Sequence, residues 1–434
     1  MIIGFDAKRI VRNGTGLGSY GRTLVNDLIR RHEDDIILRL YAPDKGRDDL
    51  RNQIIEGITF CYPQEGQRLK VEGQRLKVEG QRSKVKGQRL KVEGQRLKVE
   101  GQRSKVEGRS SSIFNFQLST FNFLPPRSFL VPRCLWRSYG IVKDLQRDGV
   151  QIYHGLSGEL PIGLRKAGIK GIVTIHDLIF MRHPEYYHWI DTKLYEWKFR
   201  QTLKEADLII AISERTKQDI MELGGISDER IRVIYQSYAP RFSDAVDPQL
   251  IADVRQHYHL PDRFILNVGT IEQRKNLRLA VDALPFLPSD LHLVAVGRQT
   301  DYAKTLPQSD RLHLLSGVPD DHLAAIYHLA EAFVYPSRYE GFGIPIIEAI
   351  AAGLPVVACT GSCLEEAGGP DSLYVHPDDV GDMAAAITTV LKGAEGRDQR
   401  IRASRQYIQR FRGTDVAGQV LDLYRELGTS LPHH

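Results

Sequence analysis

AFVYPSRYEGFGIPIIEAIAAGLPVVAC, residues 332–359, decides how the rest of the chain is read. It opens on an apolar, β-rich run, passes through a glycine-rich turn into helix-compatible residues, and closes on a second β-rich run, PVVAC. Pro345 suits a first helical turn and Gly353 the end of the helix. Two strands without polar alternation, joined through a helix, predict a parallel sheet covered on both faces. Glu340 and Glu348 are separated by seven residues, with Gly341 and Gly343 between them. Glycines that lead into a helix expose backbone N–H groups to phosphate oxygens, and the helix dipole adds roughly 0.3 to 1 kcal/mol of attraction. Glu348, one turn into the helix, is placed to accept two hydrogen bonds from vicinal ribose hydroxyls, and Glu340 to lie nearer a sugar. Acidic residues among FGIPII and AIAAG are costly to bury without partners, which makes a plain surface pair of glutamates the weaker reading.

The alternation extends in both directions. IIGFDA, IILRLYA, IYHG, GIVTIHD, LIIAIS and IRVIY read as strands in the first half; FILNVG, LHLVAVG, LHLLSG, AFVYPS and PVVAC do so in the second. Two such series predict two doubly wound α/β domains, residues 1–240 and 241–410. The seam falls near Pro240 to Pro248, where Pro, Asp and Ser replace the apolar pattern. AGQVLDLYREL is amphipathic enough for a closing helix.

One stretch breaks the pattern. From Gly66 to Glu107, GQRLKVE and its close variants repeat every seven residues. A coiled coil does not fit: Leu69 and Val71 are two apart, the next leucine is five further on, and each heptad opens on a glycine. Each such glycine opposes a helix by about 1 kcal/mol. The expected state is a solvated low-complexity insertion, with short hairpin or solenoid turns as the minority reading. FNFQLSTFNF at 114–123 prolongs it, so the insertion is set at about 64–124 in a surface loop of the first domain. Deleting Gln64 to Leu124 is expected to leave folding and activity largely intact; loss of soluble protein would show the boundary to be misplaced.

The chain of 434 residues carries 59 basic and 54 acidic side chains, a net +5. The repeat, with 13 basic and 5 acidic residues, contributes +8, which leaves −3 elsewhere and removes the case for a nucleic-acid partner. Outside the repeat the first 240 residues sum to +4 and the remainder to −7, so the first domain is the one to meet a membrane surface or an anionic lipid acceptor. No stretch of 18 residues is free of both charge and proline, which argues against a membrane span. Asp6, Lys8 and Arg9 stand where a signal peptide needs apolar residues. Cys61, Cys134, Cys359 and Cys363 form neither a zinc array nor a disulfide framework, and a reducing cytoplasm is expected. Cys359 and Cys363 read as small buried residues beside a strand.

Further constellations point to an anionic ligand. Gly16, Gly18 and Gly21 form GLGSYG, but Lys8 to Thr15 separate them from their strand, so a nicotinamide fingerprint is not the reading; glycines opening a helix still admit a phosphate. In NVGTIEQRKNL a strand ends at Gly269 and then presents Arg274 and Lys275, a bidentate and a point cation suited to a pyrophosphate. His176 and Asp177 follow the strand GIVTI, where ligand-facing loops arise, and His176 is a candidate hydrogen-bonding or acid/base residue. His154, at another strand end, is weaker. No D-x-D motif is present, so a carboxylate clamp for a divalent metal is not expected.

In this order and on two Rossmann-like halves, the glycine loop, the His-Asp pair, VGTIEQRKN and EGFGIPIIEA resemble the retaining glycosyltransferases of the GT-B fold, family four, and among them mannosyltransferases. The resemblance implies two domains facing across a cleft and a terminal helix, residues 411–434, crossing back to the first. It implies a nucleotide-sugar donor (GDP-mannose-like or a UDP-sugar) and a glycan or lipid-linked acceptor in surface polysaccharide or lipopolysaccharide biosynthesis. The enzyme would work in the cytoplasm or at the inner face of the membrane, with no metal or cofactor. By the same likeness Arg274 and Lys275 hold the diphosphate after Gly269, Glu348 holds the ribose, and Gly341, Phe342, Gly343 and Ile344 hold phosphate and sugar. Glu340 meets the sugar hydroxyls, His176 lies at the reacting sugar, Val318 touches the base, and Gly16 and Gly18 close over the diphosphate from the other domain. Thr270 stands where many members have arginine, and Arg274 is expected to supply that charge. The alternatives are a catalytically silent nucleotide- or sugar-binding module and an epimerase of the same architecture.

Overall fold

The computed structural model describes residues 1–14, 16–31, 35–63, 136–412 and 415–429. The heptad repeat, the insertion expected at about 64–124, and Cys134 lie outside the described residues.

The first half forms a seven-stranded parallel sheet from β1 (Ile2–Asp6), β2 (Ile37–Tyr41), β3 (Thr59–Cys61), β4 (Ile152–Gly155), β5 (Lys170–Ile175), β6 (Leu208–Ala211) and β7 (Ile231–Val233), in the order 3-2-1-4-5-6-7. The second half forms a six-stranded parallel sheet from β8 (Phe264–Val268), β9 (His292–Val296), β10 (Leu312–Leu315), β11 (Ala332–Tyr335), β12 (Val356–Cys359) and β13 (Leu373–Val375), in the order 10-9-8-11-12-13. All residues of β4, β6, β11 and β12 are buried, which is why these strands read as unbroken apolar runs. Alternate residues serve opposite faces: Phe264, Leu266 and Phe333 enter one core of the second sheet, Ile265, Leu293 and Val334 the other.

Each sheet reverses its winding once, between β1 and β4 and between β8 and β11. Connections leaving the two strands at such a point diverge, and a crevice opens at the strands' carboxyl ends. Register places Ala332 beside Ile265 and Phe333 beside Leu266, so the loops after β8 and β11 emerge side by side.

The last helix, Val416–Thr429, packs on the first domain against the helix Gly16–Arg31 and β4. Tyr424 on it bonds His154 Nδ1 at 2.7 Å, and His154 Nε2 lies 2.9 Å from Thr174 Oγ1. His154 is fully buried and serves as a satisfied core residue. Phe411, where this helix was expected to begin, sits instead in the second domain's core against Tyr235 and Phe342. No helix among the described residues is long and apolar enough to cross a membrane.

Candidate active site

The crevice between β8 and β11 is the most strongly charged buried part of the second domain. Arg274 and Lys275 occupy the single turn Gln273–Lys275 after β8, and Ser337 to Gly343 form the loop after β11. Glu340 Oε2 lies 2.9 Å from Arg274 Nη1 and Oε1 lies 2.5 Å from Lys275 Nζ. The Ser337 hydroxyl also donates to Oε1. Lys275 donates to the Tyr335 hydroxyl at 2.6 Å, and Arg274 to the Tyr339 carbonyl at 2.5 Å and to Glu272 at 2.8 Å. Burial pushes the Glu340 carboxyl up, but Lys275 and Arg274 outweigh it and hold the group at about 2. Burial likewise opposes both cations, and Glu340 more than offsets it, so both are held above their ordinary values. The structure thus joins three residues that sequence reasoning assigned separately, two to a diphosphate and one to a sugar. Their charges are set against each other.

The glycines around Glu340 have distinct reasons. A Cβ on Gly341 would stand 2.0 Å from the His176 carbonyl oxygen, so only glycine lets this loop meet the first domain. The Gly341 carbonyl accepts hydrogen bonds from Ser213 Oγ at 2.6 Å and Thr216 Oγ1 at 3.1 Å, both at the start of the first-domain helix Glu214–Gly224. Gly343, at φ 133°, turns the chain into the helix Ile344–Ala351, which has no side-chain cap; Pro345 carries no N–H and the Ile346 amide bonds the Gly343 carbonyl at 2.9 Å, so Ile344 supplies the first-turn amide that can meet an anion. Phe342 is buried against Tyr235. Cys363 donates to the carbonyls of Glu340 and Phe342 at 3.1 and 2.7 Å, and both Cys359 and Cys363 are interior.

Glu348 Oε2 accepts the Tyr327 hydroxyl at 3.1 Å, and burial raises this carboxyl to about 7 from an ordinary 4.5 despite Tyr327 and Arg241. Between these values the folded chain holds a proton that the unfolded chain releases. Its contribution to stability is therefore present below about 4.5 and lost as pH rises through about 7. Glu348→Gln is expected to flatten the melting temperature of the ligand-free protein against pH across that window; an unchanged slope would show that Glu348 titrates normally.

His176 follows β5 at the cleft. Its Nε2 donates to the Leu156 carbonyl at 3.0 Å, Nδ1 faces the Gln236 amide at 3.2 Å, and burial lowers it to about 4. It is a fixed, neutral imidazole with both nitrogens engaged, which favours the hydrogen-bonding reading over the acid/base one. Tyr20 packs edge-on against it, with ring centroids 4.8 Å apart. Gly16 faces open space, whereas a Cβ on Gly18 would stand 1.8 Å from the Asn13 carbonyl, so Gly18 serves close packing of the loop on its helix. Gly269, at φ 148°, lies beside the Lys275 stem. Val318, after β10, packs on the second-domain core near the Arg241–Asp320 ion pair.

One group escaped sequence reasoning altogether. The Tyr339 hydroxyl donates to Asp219 Oδ2 at 2.5 Å and accepts from Arg215 Nε at 2.8 Å, while Arg182 Nη2 reaches Asp219 Oδ1 at 2.5 Å. The residue before Glu340 is thereby anchored in the first domain.

A sequence profile described as glycosyl transferases group 1 matches residues 253–407, and one described as glycosyltransferase family 4 matches residues 106–238. The chain is 30% identical over 292 residues to O-antigen chain mannosyltransferase B of Escherichia coli, a match covering 64% of this chain and 74% of that protein. The chain belongs to the glycosyl transferases group 1 family. This glycosyltransferase is also 28% identical over 260 residues to the serotype-specific mannosyltransferase WbdA of E. coli, covering 55% of this chain but only 31% of that one. In fold it is similar to sucrose-phosphate synthase from Thermosynechococcus elongatus, with a TM-score of 0.67 at 19% identity over 99% of this chain and 100% of that one. The two parallel-sheet domains are those of a GT-B glycosyltransferase. Membership makes the chain a hexosyltransferase, which sets aside the silent module and the epimerase.

Proposed function

We propose that this glycosyltransferase moves a hexose, foremost mannose, from a nucleoside-diphosphate sugar to a glycan or lipid-linked acceptor of a surface polysaccharide, at the cytoplasmic side of the membrane. The transfer retains anomeric configuration and uses no divalent metal. The observation that carries the reading is the Arg274–Lys275–Glu340 cluster in the second domain's crevice, on a chain similar to an O-antigen mannosyltransferase. As the sugar–phosphate bond breaks, charge grows on the departing phosphate oxygen. Arg274, Lys275 and the Ile344 amide are preorganised donors for it. When the diphosphate takes hydrogen bonds from the two cations, Glu340 is released in part and can accept from the hydroxyls of the transferred sugar. Glu348 is suited to the ribose, and a neutral His176 adds no charge that would pull the diphosphate out of place. The departing phosphate oxygen takes the acceptor's proton on the face where the new bond forms.

Thermal-shift titration against GDP, UDP, ADP and NAD, first without metal and then with magnesium, tests this directly. A nucleoside diphosphate that binds only the folded state should add about 2.7 kcal/mol at 100 times its Kd. GDP is expected to act without metal and NAD not at all, and GDP-mannose should then be consumed in the presence of acceptor. Stabilisation by UDP alone would move the donor to a UDP-sugar. Stabilisation only with magnesium would overturn metal independence, and none with any nucleotide would overturn the donor site.

A further inference from the structure

Nine large hydrophobic side chains are exposed among the described residues, and five of them, Trp189, Ile190, Leu194, Tyr195 and Trp197, fall within nine residues of the first-domain helix Trp189–Glu205. The opposite face of that helix is well seated. Phe199 and Leu203 are buried, Thr202 Oγ1 accepts the Leu160 amide at 3.1 Å, and Glu205 accepts the amides of Gly163 and Arg165 at 2.8 and 3.1 Å. Ile190, Leu194 and Trp197 follow one another at four and three residues, so they line one outward stripe, with Trp189 beside it at 73% exposure. Burial of such area is favourable by about 25 cal/mol per Å², and a concentrated patch of this kind marks a contact surface.

The chemistry of the patch selects the partner. Tryptophan and tyrosine carry a polar edge on an apolar ring and favour the boundary between lipid and water. Beyond the apolar half, the same end of the domain is basic: Arg200 and Lys204 on the helix and Arg165 and Lys166 in the adjacent turn are all exposed. The one acid in the middle of the helix, Glu196, is held by Lys193 and Arg200. An apolar, aromatic half next to a cationic half is complementary to an anionic bilayer, with rings at the headgroup boundary and cations over the phosphates. A second copy of this chain would have to set these cations against its own.

We infer that the helix Trp189–Glu205, together with the turn Arg165–Ala167, docks this protein on the surface of an anionic phospholipid bilayer. The helix follows the loop of His176 and Asp177, and Tyr187, just before it, lies within electrostatic range of Asp177 and Arg274. Docking therefore holds the cleft near the bilayer, where a lipid-linked acceptor would be presented; this purpose rests on the acceptor class proposed above, whereas the docking itself does not.

Trp189 and Trp197 are two of only three tryptophans in the chain, so their emission reports on the patch. The full-length protein is mixed with vesicles of phosphatidylcholine alone or with phosphatidylglycerol, and co-sedimentation and emission are recorded. Binding and a blue shift are expected with phosphatidylglycerol only, weakening as salt rises. Ile190→Ser with Leu194→Ser keeps both fluorophores and is expected to weaken vesicle binding about tenfold or more. The same double variant should leave the nucleotide-induced thermal shift and transfer to a water-soluble acceptor unchanged. Absence of binding to anionic vesicles, or binding that the double variant does not weaken, overturns the proposal. So does a wild-type dimer that the double variant makes monomeric, or emission that shifts only when residues 64–124 are deleted, since the face would then be covered by a second copy or by the chain's own insertion. Vesicle binding without any nucleotide response would sink the donor site and leave the docking face standing; the converse would do the reverse.

Discussion

Glu340→Ala is expected to lower turnover by roughly 10² to 10³ while binding of the bare nucleoside diphosphate is kept or tightened. The opposite signs follow from the geometry. In the wild type Arg274 and Lys275 both point at the Glu340 carboxylate, and a diphosphate must compete with it for their hydrogen bonds. Removing the carboxylate ends that competition, but it also leaves the sugar without an acceptor for its hydroxyls and the two cations without the group that fixes their positions. The ligand-free variant should lose about 3 to 5 kcal/mol, the usual result of stripping a buried charge of its partner, and GDP or pyrophosphate should restore much of it. Acid behaviour gives an independent reading. Glu340 is held at about 2 against an ordinary 4.5, so its stabilisation is present above about 4.5 and lost as pH falls through about 2. The variant should lack that acid component of the melting curve. Steady-state kinetics, calorimetric titration with GDP and UDP, and melting against pH check the three parts. Turnover equal to wild type would reduce Glu340 to a counterion and remove it from the transfer step.

The architecture was legible because each β-α-β unit announces itself locally: an apolar run, a glycine or proline at the turn, a helix, another apolar run. AFVYPS and PVVAC are such a unit, and both runs are fully buried strands in the structure. Arg274 and Lys275 were legible for the same reason, since a strand ending at Gly269 fixes which end of the sheet they occupy. Their engagement with Glu340 was not. It depends on β8 lying beside β11, and strand order is a property of the assembled sheet that no local pattern carries. The two histidines show the same limit. His154 and His176 both stand at strand ends in the sequence, yet Tyr424, from the far end of the chain, seals the first into the core, while Leu156 and Gln236 hold the second at the cleft. Exposure of the aromatic helix was equally hidden, because WIDTKLYEW is the more apolar part of the helix and would be expected inside, yet it is Phe199 and Leu203 of the more polar FRQTLKE that dock.

Asp219→Ala is expected to cost about 3 to 5 kcal/mol of stability, although Asp219 sits among the charged residues of the helix ERTKQDIMELG. In the structure it is 1% exposed, with Arg182 and Arg215 at 2.5 and 3.0 Å on one oxygen and the Tyr339 hydroxyl on the other. Its removal leaves two guanidinium groups facing each other in a half-buried space and a phenol without its acceptor. Burial and Asp219 push that phenol up to about 12, so it remains a donor throughout the working range of pH. Because Tyr339 immediately precedes Glu340 and its carbonyl accepts from Arg274, the anchor also fixes where the Glu340 carboxylate stands relative to the first domain. Tyr339→Phe separates the two effects. It removes one hydroxyl, should cost only about 1 kcal/mol, and leaves both arginines paired with Asp219. If the anchor positions Glu340, Tyr339→Phe lowers kcat and leaves the Kd for GDP or UDP unchanged, since the cations that grip the diphosphate are untouched. If it serves stability alone, kcat at a temperature well below the melting point stays at the wild-type value. Domain closure gives the reason to expect the first outcome: the loop carrying Glu340 is tied to the helix Glu214–Gly224 at Tyr339 and again at Gly341, so any motion of the first domain across the cleft moves the carboxylate with it.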